Sequence, residues 1–183
     1  MRAIKGIVLG AALLSVGVGV SGVAWSQPES QVRRAAAESG MAAPWDWGGG
    51  IGFLAETPDD TAFTVNLFGD RYLNDRVSVG PLAQFGFTGD LALYAFSGQM
   101  KYWIPLRDID SRTRFFTQAG VGIVHAAFRE DDTSWIVPLG FGIDHQMENV
   151  AVYAAFLVNL TDLDTGRGSD ADVMPGVTFG AKF

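Results

Sequence analysis

The sequence predicts an all-β chain, an eight-stranded antiparallel up-and-down transmembrane β-barrel preceded by a cleavable signal peptide. Three observations predict it. Residues 1–26 have the three-part layout of an export signal. From Trp45 to Phe183 the apolar residues recur with period two, the signature of strands. Seven clusters of turn residues cut that stretch into eight segments of roughly 11–15 residues.

The export signal begins with Arg2 and Lys5, continues through an apolar run from Gly6 to about Val20, and ends on Ala24-Trp25-Ser26, with small residues at −3 and −1 if cleavage follows Ser26. The run is shorter than the about 20 residues that a membrane helix needs, which favours a cleaved signal over an anchor. Residues 27–44, polar, Ala-rich and ending in Pro44, are expected as a periplasmic leader. The barrel then occupies residues 45–183.

The breaks are Thr57 to Asp60, Asn74-Asp75, Gly89-Asp90, Leu106 to Arg112, Arg129 to Asp132, Glu148-Asn149 and Asp162 to Ala171. Alternation is clearest in the sixth segment, where Trp135, Val137, Leu139, Phe141 and Ile143 share one parity and Ser134, Gly140, Gly142, Asp144 and Gln146 the other. The third segment sets Val77, Val79, Pro81, Ala83, Phe85 and Phe87 against Arg76, Ser78, Gly80, Gln84, Gly86 and Thr88.

Alternation by itself does not say which face is inside. The second face decides it: rich in Gly, Ser, Gln and single charges, it is too small and too polar for a dry core and suits a narrow barrel interior. The oily face is therefore expected against lipid. Segment length agrees, since a tilted membrane strand needs about 9–11 residues, whereas strands of ordinary domains run about 5–6. Closure removes the free edge that hydrocarbon would not tolerate, and an even strand count puts both termini on the periplasmic side. Trp45, Trp47, Tyr72, Tyr102, Trp103 and Trp135, near strand ends, are expected to form interfacial girdles.

The last segment, Val173-Met174-Pro175-Gly176-Val177-Thr178-Phe179-Gly180-Ala181-Lys182-Phe183, carries Val177, Phe179 and Phe183 on its apolar parity and finishes on an aromatic. In this the chain resembles the small outer-membrane β-barrel proteins of Gram-negative bacteria, the OmpA/OmpX-like group. The resemblance covers residues 45–183 and is one of pattern. It implies an outer-membrane location, and that Val177, Phe179 and Phe183 form the signal read by the barrel-assembly machinery. The outer connections are shorter than the long extracellular loops frequent in that group.

Parity assigns Asp46, Asp70, Arg76, Lys101, Arg114, Asp144 and Lys182 to the interior, with Asn66, Gln84, Gln99, Gln118 and Gln146 beside them. Buried charges are expected to pair, giving a polar lumen network that plugs the barrel. The alternative is a narrow pore. An enzymatic alternative, a lipid A acyl hydrolase or transferase, would have to use His125, His145 or Ser134, and nothing in the sequence around them activates a nucleophile.

Composition excludes further classes. There are no cysteines, hence no disulfides and no Cys-ligated zinc. The net charge is −7, and without Arg2 and Lys5 it becomes −9, from 11 basic and 20 acidic residues, the wrong sign for nucleic acid. The outer connections are acidic, but Asp162 to Gly168 lacks the closing Glu of a calcium loop, so no metal and no cofactor is expected. The expectation is a monomeric, non-enzymatic envelope protein with a structural role, whose partners are outer-membrane lipids, lipopolysaccharide and the assembly machinery.

Overall fold

The computed structural model describes residues 45–106, 112–166 and 170–183. The expected signal peptide and leader lie outside the described residues. The strands are β1 (Trp45–Thr57), β2 (Asp60–Asn74), β3 (Val77–Phe87), β4 (Ala92–Pro105), β5 (Thr113–Ala127), β6 (Asp132–Gln146), β7 (Ala151–Asp164) and β8 (Asp170–Lys182). Each pairs antiparallel with the next, and β1 pairs with β8 to close the barrel. The closing register sets Gly48 opposite Lys182 and Gly52 opposite Thr178.

Turn chemistry separates the strands where the sequence placed the breaks. Between β2 and β3, Asn74 Oδ1 accepts hydrogen bonds from the N–H groups of Arg76 (2.8 Å) and Val77 (2.9 Å), an Asx turn. Between β1 and β2, Glu56 and Asp60 take positive φ (54° and 68°) around a register shift, and the Thr57 hydroxyl donates to Asp60 O at 2.7 Å. On the same rim Thr88 Oγ1 accepts from Leu91 N (2.9 Å) and bonds to the Asp59 carboxylate. The last hairpin is longer than its sequence break, because β7 and β8 stay paired out to Asp164 opposite Asp170. Asp132 accepts the Asp164 N–H at 2.9 Å and ties this hairpin to the start of β6.

The two faces differ as alternation requires. Outward side chains form an apolar belt that includes Val121 (67% exposed), Ile123, Phe53 and Phe179. Aromatic pairs brace it across strands, such as Phe53 against Phe63 (5.9 Å) and Phe141 against Phe156 (5.6 Å).

The inner face departs from the expectation. It is not uniformly small and polar, since its loop-side half is a dry cluster of Leu54, Leu93, Val124, Ile136, Leu163 and Met174, with Ile136 and Met174 fully buried. A row that faces lipid has to be oily, as the sequence led one to expect of the outward row, but the inward row has only to fill a narrow tube, and apolar side chains fill it where no charge has to be held. Charge and aromatic rings occupy the termini-side half instead.

Candidate functional site

The termini-side lumen is built around Trp103 of β4. Its indole N–H donates to Ser78 Oγ of β3 at 2.9 Å, and its ring packs on Tyr72 (5.9 Å) and Phe116 (5.1 Å). Three cations approach that ring: Lys182 Nζ at 4.4 Å, Arg114 at 4.6 Å and Lys101 Nζ at 5.9 Å from its centroid. Lys101 lies closer still to the Phe68 ring, at 3.8 Å.

Two carboxylates hold the three cations. Asp70 of β2 pairs with Lys101 at 2.9 Å, and Asp144 of β6 holds both Arg114 and Lys182 at 2.9 Å each. Arg114 adds a second hydrogen bond from Nε at 3.1 Å. Asp70 and Asp144 are essentially inaccessible to solvent. Ions buried to this extent persist only when paired, and here each acid is shared with partners from other strands.

Of the residues assigned to the interior by parity, five thus meet in one network: Asp70, Lys101, Arg114, Asp144 and Lys182. Asp46 keeps the inward parity, opposite Asp70 in the β1–β2 register and half-buried at the rim. Arg76 does not join them. It sits exposed in the β2–β3 turn with its guanidinium 3.5 Å from the Tyr102 hydroxyl, because the Asx turn ends β2 at Asn74 and removes residue 76 from the inward row.

The girdle expectation divides as well. Trp45, Trp47, Tyr102 and Trp135 face outward, whereas Tyr72 and Trp103 are buried inside. A readable signal existed, since Trp103 lies two residues after Lys101 and therefore shares its face. Glycine in β1 makes the network fit. A Cβ on Gly48 would stand 2.5 Å from the Phe68 ring and 2.8 Å from Lys182 Cβ, and one on Gly50 would overlap the Tyr153 hydroxyl.

Above the ions a carboxamide layer of Asn66, Gln84, Gln99, Gln118 and Asn159 separates them from the apolar cluster. Asn66 Nδ2 donates to Thr178 at 2.7 Å. A cavity of about 20 Å³ borders Asn66, Gln99, Lys101 and Gln118, room for a single water. Gln99 has no hydrogen-bond partner among the described residues for either end of its carboxamide.

The side chains weighed for catalysis are not assembled. His125 faces outward with Nδ1 2.8 Å from Thr133 Oγ1, and His145 pairs with Thr113 at 2.9 Å. Ser134 lies opposite Val124 on the inward row, on the other side of the wall from His125. No group of three or more His, Cys, Asp or Glu side chains able to hold a metal occurs among the described residues.

Solved structures share this architecture. Neisserial surface protein A superposes with a TM-score of 0.54 at 14% identity, over 75% of this chain and 94% of its own. The N-terminal β-barrel domain of Pseudomonas aeruginosa OprF gives 0.50 at 12% identity over 78% and 100%. Ail, the attachment invasion locus protein of Yersinia pestis, gives 0.50 at 14% identity over 75% and 94%. The fold is therefore that of the small eight-stranded outer-membrane β-barrels, as the resemblance implied. No protein-family model matches the sequence, and no curated protein matches it.

Proposed function

We propose that the protein is a non-enzymatic integral outer-membrane barrel with a structural or envelope-maintenance role, exported by its N-terminal signal and active as a monomer. One observation carries the reading: the barrel is oily outside and blocked inside. Its lumen is filled from the termini side by an ion-paired aromatic plug and from the loop side by a dry cluster. A filled lumen favours an envelope component over a narrow pore, and an apolar belt on a closed barrel favours lipid over water as its surroundings. The separation of His125 from Ser134 argues against a lipid A acyl hydrolase or transferase built on them.

Outer-membrane lipids and lipopolysaccharide are then its immediate partners. The assembly machinery would read Val177, Phe179 and Phe183, all of which stand exposed on the outward row. The test is fractionation with heat-modifiable gel mobility. The expected result is a band in the outer-membrane fraction that shifts on boiling, silent in planar bilayers and inert toward lipid A acyl esters. A chain soluble without detergent would overturn the reading.

A further inference from the structure

Seven lysines and arginines fall among the described residues. Lys101, Arg114 and Lys182 turn into the lumen, and Arg76, Arg112 and Arg129 sit in turns. Arg71 is the exception. It stands on the outward row of β2, exposed, three residues before the strand ends at Asn74, and makes no ion pair or hydrogen bond with any described residue. A bare cation on the lipid side of a barrel is tolerated near the interface, where an anion or water can reach it.

Beside it the belt is hollow. Outward positions on β1, β3, β4 and β8 are small here: Gly49, Pro81, Ala83, Gly98 and Ala181. The register sets Gly49 and Ala83 on either side of Leu67, and Pro81 opposite Gly98, so the gaps merge across strands. A Cβ on Gly98 would meet nothing within 4 Å. The result is an apolar groove of about 640 Å³, bounded by Trp47, Leu67, Ala83, Phe96 and Phe183. Pro81 has no N–H to donate, and the β2–β3 pairing passes from Phe68↔Leu82 to Arg71↔Val79 without pairing Gly69 or Asp70.

Headgroup and chain positions are linked by two stacked rings. Trp45, opposite Arg71 in the β1–β2 register, stacks on Trp47 at 5.5 Å, and the Trp47 ring lies 2.8 Å from where a Gly69 Cβ would be. Tryptophan prefers the level where headgroup meets acyl chain, which places Arg71 at phosphate height and the groove at chain height.

The geometry points to a binding site for one anionic glycerophospholipid of the termini-side leaflet, its phosphate on Arg71 and one acyl chain in the groove. The proposal rests on the membrane reading above. Charge complementarity selects the occupant: an arginine fork suits a phosphate, and an anionic headgroup brings no second cation against it. Groove volume lies within the range of small-molecule sites, about 300–1,000 Å³.

Full-length protein with Trp25 and Trp135 replaced by Phe leaves Trp45 and Trp47 as the outward fluorophores, because Trp103 is enclosed in the lumen. It would be folded into phosphatidylcholine vesicles containing a small fraction of chain-brominated phosphatidylglycerol or, in parallel, chain-brominated phosphatidylcholine. Excess quenching by the brominated phosphatidylglycerol is expected, a preference of roughly two- to fivefold, the range of one exposed charge pair. Arg71→Gln should abolish the preference, Arg71→Lys should restore part of it, and Ala83→Phe should reduce quenching by both lipids. Equal quenching by the two lipids, or a preference that survives Arg71→Gln in a normally heat-shifted barrel, would overturn the site and leave the membrane reading standing. Absence of quenching by either lipid, as when a second copy or the N-terminal segment covers the face, would overturn it too. A chain that never inserts would overturn both.

Discussion

Replacing Asp144 by Asn tests whether the lumen plug is held by its ions. The carboxylate is 1% exposed and serves two cations at 2.9 Å, one of which, Lys182, is itself 4% exposed. Asn keeps the volume and removes the charge, so Lys182 and Arg114 are left beside the Trp103 ring with Lys101 close by. Stranding one partner of a buried pair costs about 3–5 kcal/mol, and the same range is expected here because Arg114, 20% exposed, can recover some hydration. Lys182→Met should cost less, about 1–2 kcal/mol, since Asp144 keeps both hydrogen bonds from Arg114. The double replacement of Asp144 by Asn and Lys182 by Met should recover a large part of the single Asp144 loss. The assay is urea-dependent folding into phosphatidylcholine vesicles, followed by gel shift and by tryptophan fluorescence. An Asp144→Asn barrel within about 1 kcal/mol of the parent, or no worse than the rim control Asp90→Asn, would refute the reasoning.

Other substitutions probe the remaining layers. Ile136→Ala, inside the dry cluster, should lower stability by about 2–4 kcal/mol in the same titration. Val121→Arg, midway along β5 on the belt, should cost about 2–4 kcal/mol when folded in lipid, the figure for a cation at the bilayer midplane. At the loop-side tip Asp170 has its carboxyl raised above the usual range, chiefly by Asp164 facing it and further by Asp172 and Asp162. A raised carboxylate opposes the paired hairpin when ionised, so the tip should gain amide-exchange protection as pH falls through the carboxylate range. Asp164→Asn should confer that protection already at neutral pH and flatten its pH dependence.

Period two sorted nearly every side chain of the strands to the correct wall, because a strand has two faces and a closed ring gives each face a different neighbourhood. Seven turn clusters fixed the strand count, and eight strands in a narrow ring fixed a filled lumen. Arg76 was lost to the interior because an Asx turn ends the strand just before it, a local hydrogen-bond choice that parity does not see. Tyr72 and Trp103 were misplaced because an aromatic near a strand end satisfies a girdle or a plug equally well, and only the parity shared with Lys101 distinguishes them.

Partner choice belonged to the tertiary structure alone. Asp70 on β2 finds Lys101 on β4, and Asp144 on β6 finds Lys182 on β8, each across an intervening strand. Those meetings depend on shear and on the narrow bore, which set the height at which each inward residue stands. Arg71, unpaired among the described residues and near a hollow of small outward residues, became visible in the same way, once closure had laid β8, β1, β2, β3 and β4 side by side. Alternation is a property of one strand and can be read along the chain, whereas neighbourhood in a barrel is a property of the ring and exists only after it closes.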